Sequence, residues 1–259
     1  MLSGPRRIGE FCWINVLTPA ASDAQAFFTA VLGWEYTALP PEMGGHLIKV
    51  GGEEVGGMWD TTGPNMPPST PPGIGLMIRV ESADAVSAKA NELGGLGKPA
   101  FDVGPTGRMA ETFDPFKAEM DVWQAGASPG MTADSMHHGT PSWIELATYE
   151  TEKAGAFWSA LFGWRIEKMS MPGMDYSVFH AGDRMVGGMM AITPEMGSFP
   201  SHWAVYMTVD DVDAAAAKVT ANGGSVFMPP VDIQTVGRMA GIASPQGVMF
   251  YVITYEMPA

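Results

Sequence analysis

The sequence repeats itself at an offset of about 130 residues. Gly9–Tyr36 reads GEFCWINVLTPAASDAQAFFTAVLGWEY, and Gly139–Ile166 reads GTPSWIELATYETEKAGAFWSALFGWRI. The register persists downstream. VGGM at Val55–Met58 returns at Val186–Met189, and GRMA at Gly107–Ala110 returns at Gly237–Ala240. Solenoid repeats are far shorter, roughly 20–50 residues, so this period means two copies of one small domain. Residues 1–125 form the first copy and 139–259 the second, joined by a linker, 126–138, that reads GASPGMTADSMHH. Positions where the copies agree report on the fold. Positions where they differ report on how each copy was specialised.

Hydrophobic residues make up 46% of the 259 and charged residues 16%, the balance of a globular chain. The net charge of −14 argues against nucleic acid and anionic membrane surfaces as partners, since both would repel it. Cys12 stands alone, so no internal disulfide and no thiolate metal cluster can form, and its counterpart Ser142 suggests a small buried residue. The opening MLSGPRRIGEF lacks the apolar core of a signal peptide, and no apolar run nears the roughly 18 residues of a membrane span, so a cytoplasmic protein is expected. Twenty-one methionines, many near tryptophans, suit either core gap-filling or an adaptable pocket for a flat or oily molecule.

Each copy opens with a strand, Phe11–Leu17 or Ser142–Thr148, whose bulky residues alternate. A helix follows near Ser22–Leu32 and Thr151–Phe162, with Ser22 as a candidate N-cap and Gly33 and Gly163 as stops. Three strands come next in each copy. Those near Leu47–Val50, Glu54–Trp59 and Ile74–Val80 match Tyr176–His180, Arg184–Ala191 and Trp203–Val209. A second helix, Ala83–Leu93 or Val212–Asn222, and three closing strands complete the copy. The expected class is α+β: a tandem pair of modules, each with two βαβββ units.

The segment Phe-(Phe/Trp)-x-x-(Val/Leu)-(Leu/Phe)-Gly-Trp after strand and helix resembles the opening signature of the vicinal oxygen chelate superfamily. That superfamily contains glyoxalases, bleomycin-resistance proteins and extradiol dioxygenases. Val209–Val212 before the second helix, Ser244–Gly247 and Asp114–Lys117 match further motifs, and the likeness to tandem two-module members covers nearly the whole chain. The resemblance implies curled sheets around cup-shaped cavities. It also implies His, Glu or Gln ligands for a metal on three strands of each cup. Here those positions fall on Trp13, Gly75 and Asp121 in the first copy and on Trp143, Ala204 and Tyr251 in the second. A shift along the strand to the next position on the same face would offer Asn15, Glu145 or Glu119, still without a trio of good ligands. The adjacent His137 and His138 fall in the linker and read as a solvated loop, while His46, His180 and His202 are scattered.

These departures lead to the expectation of a small-molecule-binding protein with no cofactor. Its ligand would be an aromatic or polycyclic compound, bound for resistance or as an accessory to its biosynthesis. The lining expected is Trp13, Asn15, Gly75, Met77 and Asp121 in one cup, and Trp143, His202, Ala204, Tyr206 and Tyr251 in the other. Glu145, amid Trp143, Ile144 and Leu146, is the candidate acid or base, or else a satisfied structural carboxylate. Arg108 and Arg238 are candidates to pair with it or to grip a ligand. The alternative expectation is a divalent-metal-dependent lyase, isomerase or dioxygenase. Either protein would be a monomer or homodimer.

Overall fold

The computed structural model describes residues 3–41, 44–63, 66–67, 69–171 and 174–256, and of residues 170, 171 and 174 the backbone only. The first module runs β1 (Phe11–Thr18), α1 (Ala21–Leu32), β2 (Glu35–Ala38), β3 (His46–Val50), β4 (Glu53–Asp60), β5 (Gly73–Val80), α2 (Ala83–Glu92), β6 (Leu96–Gly97), β7 (Phe101–Val103), β8 (Gly107–Phe113) and β9 (Glu119–Ala125). The second runs β10 (Pro141–Thr148), α3 (Thr151–Phe162), β11 (Arg165–Met171), β12 (Met174–Ala181), β13 (Arg184–Ala191), β14 (His202–Thr208), α4 (Val212–Ala221), β15 (Ser225–Ile233), β16 (Gly237–Ala243) and β17 (Met249–Tyr255).

Each module holds one curled mixed sheet. Its order is β2-β3-β4-β1-β5-β9-β8-β6, with β7 also on β8, and β11-β12-β13-β10-β14-β17-β16-β15 in the second module. The two halves meet where β1 runs antiparallel to β5, and β10 to β14. Within a half, the first strand pairs in parallel with the last, β1 with β4 and β5 with β9, a pairing that requires a helical crossover. On β1, Ile14, Val16 and Thr18 are buried in the core, while Trp13, Asn15 and Leu17 are half-buried on the opposite, concave face.

Three strands lie outside the sequence expectation, β2, β11 and the two-residue β6. β2 and β11 are edge strands, and the side chains of β2 are mostly exposed, so no alternating apolar pattern marks it. With β2 and β11 in place, the first half of each module is a βαβββ unit, and in the second half of the first module the short β6 and β7 stand where the second module has β15. The expected Ser22 cap is also displaced. Helix α1 begins at Ala21, its cap Ala20 is left-handed at φ 52°, and the Asp60 carboxylate at the end of β4 accepts from the Ala21 N–H at 3.3 Å. A side chain from a neighbouring strand thus serves the helix start that local sequence was expected to serve.

The modules pack through their helices, α1 on α4 and α2 on α3, and share one continuous apolar core. The Gly-Trp pair at each helix end works across the junction. Trp34 Nε1 donates to the Gly139 carbonyl at 2.7 Å, and Trp164 Nε1 donates to the Gly9 carbonyl at 2.8 Å. Gly139, at φ 83°, leaves no room for a side chain, because a Cβ would lie 2.1 Å from the Leu32 carbonyl oxygen. The linker is partly buried, while His137 is exposed as expected. Met131, Ala133 and Ser135 are buried, the Met131 N–H donates to the Cys12 carbonyl at 2.7 Å, and His138 Nδ1 accepts from the Asp210 N–H at 3.1 Å. Cys12 is buried, as expected.

Two candidate binding cups

In the second module the concave face is built around Glu145. Strand β10 sets it beside Gly188 of β13 and Ala204 of β14, so three strands converge there. Glu145 is 8% exposed, and the two oxygens of its carboxyl are each taken by a phenol. Tyr176 Oη donates to Oε2 at 2.7 Å, and Tyr206 Oη donates to Oε1 at 2.8 Å. Trp143 Nε1 in turn donates to Tyr176 Oη at 3.1 Å. Burial raises the Glu145 pKa, and the two phenol hydrogen bonds offset part of that rise. Burial and then the nearby carboxylate hold Tyr176 and Tyr206 in their neutral, donating forms.

The glycine of the repeated VGGM segment makes this possible. A Cβ on Gly188 would lie 1.9 Å from Tyr176 Oη, so only glycine lets the phenol cross β13 to reach Glu145. Farther along the cup, Tyr206 stacks on Tyr251 at 4.7 Å and 16°, and Phe227 meets Tyr251 edge-on at 5.6 Å. Tyr255 bonds Ser142 Oγ at 2.9 Å, and burial pushes its hydroxyl up to about 12.

The first cup solves the same construction differently. Asn15 stands where Glu145 does, beside Gly57 of β4 and Gly75 of β5. Its donor is Trp59, whose Nε1 gives Oδ1 a 3.1 Å hydrogen bond while the indole lies over Gly57 and Gly45. A Cβ on Gly45 would sit 2.6 Å from that ring. The carboxylates are on the far side of this cup. Asp121 on β9 pairs in register with Met77 of β5 and Glu111 of β8, and Glu111 is bonded to Lys98. Asp121 is 7% exposed, and its pKa is raised well above the carboxylate range by burial, then by Glu119 and Glu111. Trp13, Met77, Trp123 and Met109 form the apolar wall beside it.

The structure therefore gathers Trp13, Asn15, Gly75, Met77 and Asp121 on one concave face, and Trp143, Glu145, His202, Ala204, Tyr206 and Tyr251 on the other. His202 lies at the cup margin, with Nδ1 2.9 Å from the Pro200 carbonyl. Arg108 and Arg238 do not join them. Alternation along β8 and β16 turns both to the helix side, with core residues Ala110 and Ala240. Arg108 binds Asp84 at 2.7 Å and Asp102 at 2.8 Å, and Arg238 binds Asp213 and Asp232 at the same distances. Glu145 is thus paired with tyrosines and not with arginine. Sequence reasoning missed Tyr176, Trp59, Glu111 and Phe227. For the first two the available signal was the glycine two positions before Met190 or Trp59, because a concave face kept free of Cβ invites a long side chain to cross it.

A model of the Glyoxalase/Bleomycin resistance protein/Dioxygenase superfamily matches residues 140–252, the second module. The chain belongs to that superfamily. It is 39% identical over 252 residues to the protein named "Putative glyoxylase CFP32" of Mycobacterium tuberculosis, covering 95% of each chain. It is 32% identical over 127 residues to the anthracycline biosynthesis protein DnrV of Streptomyces peucetius, covering 44% of this chain and 46% of that one. Among solved structures, the Mn(II)-bound glyoxalase of Novosphingobium aromaticivorans superposes with a TM-score of 0.65 at 16% identity, covering 96% of this chain and 82% of that one. The 2,2',3-trihydroxybiphenyl 1,2-dioxygenase of Sphingomonas wittichii gives 0.66 at 12%, covering 96% and 91%. At such identities the likeness is one of fold. No helix among the described residues is long and apolar enough to cross a membrane.

Proposed function

We propose that the protein binds a small, flat organic molecule, aromatic or polycyclic, in the second cup and does so without a metal. The observation that carries this reading is the pair of phenols on Glu145, Tyr176 at 2.7 Å and Tyr206 at 2.8 Å. They spend both carboxylate oxygens on fixed internal donors, which leaves a rigid aromatic wall with one polar point at its centre. Tyr251 and Phe227 extend that wall.

Metal independence is supported by donor chemistry. Glu145 is flanked by Ala204, and Tyr251 stands at the third position, its phenol pushed further from ionisation by burial. One carboxylate already bonded to two phenols is a poor start for an ion that takes three or more protein ligands. Among the described residues no group of three His, Cys, Asp or Glu is placed to hold a metal. The role that follows is sequestration of the compound, or assistance to a step in its biosynthesis, in which the hydrogen-bonded Tyr176–Glu145–Tyr206 group would orient a hydroxyl of the ligand. DnrV, the anthracycline biosynthesis protein similar to part of this chain, supports the second of these.

Tryptophan fluorescence titration with an anthraquinone tests the reading. Saturable quenching that Trp143→Phe and Tyr251→Ala weaken is the expected result. Absence of quenching across a set of polycyclic compounds would overturn it.

A further inference from the structure

The first cup contains a polar group that its surroundings do not satisfy. Asp121 Oδ1 is buried and has no hydrogen-bond partner, although the residue is 7% exposed. A buried carboxylate oxygen left unmet costs folding free energy, so its retention points to a partner from outside the chain. Gly75 beside it carries no side chain, and a Cβ there would stand at ordinary contact distance without a clash, 3.7 Å from Asn15 Cβ and 3.8 Å from Asp121 Oδ2.

The local charge selects the partner. Glu111 faces Asp121 from β8, and Glu119 lies two residues before it on β9. Lys98, between β6 and β7, is the cation that acts on Asp121, and it is engaged by Glu111. Three acidic groups against one ammonium favour a cation over a neutral donor at Asp121, the buried member of the set. The neighbouring wall of Trp13, Met77 and Trp123 offers apolar area and aromatic faces of the kind that hold organic cations.

We propose that the first cup is a separate binding site for a compact organic cation, a primary amine carried on an apolar framework, with Asp121 as the carboxylate that receives the ammonium. The two cups then differ in chemistry. One presents a carboxylate already bonded to phenols, and the other a carboxylate held open. This proposal does not rest on the reading of the second cup.

Calorimetric titration of the full chain with 1-naphthylmethylamine, 1-naphthylmethanol and 1-naphthoate tests it. The amine is expected to bind one per chain, at least about ten-fold more tightly than the alcohol, with no measurable binding of the acid. Asp121→Asn, which keeps the shape and removes the charge, should lower amine affinity at least about ten-fold and leave the alcohol unchanged. Gly75→Leu, which fills the recess, should abolish amine binding, and circular dichroism of both variants checks their folding. Equal affinity for amine and alcohol, or amine binding that survives both variants, would overturn the proposal. So would stoichiometric binding of Mn²⁺ or Zn²⁺ alone that Asp121→Asn removes, since the site would then belong to a metal. Competition between the amine and a quenching anthraquinone would also sink it, by placing both in one cup. If no anthraquinone binds at all, the reading of the second cup fails while the amine titration stands.

Discussion

The indole Nε1 of Trp158 donates a 3.2 Å hydrogen bond to the Asp114 carboxylate of the other module. Asp114 also accepts from the Phe116 N–H at 2.8 Å and the Ala118 N–H at 2.9 Å, which closes the turn before β9. The equivalent pair on the other side of the module junction is Phe28 and Ser244. There the serine Oγ receives the Gln246 and Val248 N–H groups, and Phe28 stacks on Trp34 at 4.8 Å. A donor on one side is matched with a second acceptor, and an apolar ring with a residue that has none to spare.

This pairing predicts a coupled pair of substitutions. Trp158→Phe should destabilise the chain by about 1–3 kcal/mol, because it leaves a buried carboxylate oxygen without its donor. Adding Asp114→Ser, which copies the other side of the junction, should recover part of the loss. Denaturant unfolding of the two single variants and the double variant measures the coupling, and strict additivity would refute it.

Gly188 should be as important to the second cup as the residues that line it. A Cβ there would lie 1.9 Å from Tyr176 Oη, the free end of a side chain that can swing away. Gly188→Ala is therefore expected to keep the fold but break the Tyr176–Glu145 hydrogen bond. Quenching by the anthraquinone should weaken about ten-fold, consistent with loss of a hydrogen bond to a charged group. Unchanged affinity would show that Tyr176 has no part in the site.

Asp121 makes a prediction about pH. Its folded-state pKa is raised above the unfolded value, so the native chain keeps a proton that the unfolded chain releases as pH climbs. Stability therefore falls through the window between the two values. The penalty is absent below the unfolded pKa and complete above the folded one. Asp121→Asn should raise the melting temperature at pH 8 and leave it unchanged near pH 3. Glu111, Glu119 and Lys98 face this group and remain in both proteins, so the difference curve isolates Asp121. A variant less stable than the parent at pH 8 would contradict the account.

Metal-independent binding has its own test. Protein made without a histidine tag should carry well under one transition-metal ion per chain, and dialysis against a chelator should leave ligand-induced quenching unaltered. A stoichiometric metal whose removal abolishes quenching would restore the alternative of a metal-dependent lyase, isomerase or dioxygenase.

Much of this architecture was legible because it was written twice. The duplicated Phe/Gly-Trp segments, the VGGM and GRMA strands and the helix-stopping glycines Gly33 and Gly163 mark the modules and most of their elements. Alternation on β1 and β10 assigned Trp13, Asn15, Trp143 and Glu145 to one face correctly, since side-chain period along a strand is local geometry. Edge strand β2 escaped because its largely exposed residues need no pattern. The burial of Met131, Ala133 and Ser135 within the linker escaped because Pro and Gly signal turns and say nothing about what packs over them.

The sequence by itself determined the two-module α+β fold, the concave faces and the points of divergence, Asn15/Glu145, Gly75/Ala204 and Asp121/Tyr251. Only the tertiary structure decided what those residues meet. Glu145 finds Tyr176 and Tyr206 in place of an arginine, Asn15 finds Trp59, and Asp121 finds no donor for Oδ1. Those partners are 31 to 61 residues distant in the chain. They are brought together by strand register and by glycines that clear a path between strands, and neither is a property of any local stretch of sequence.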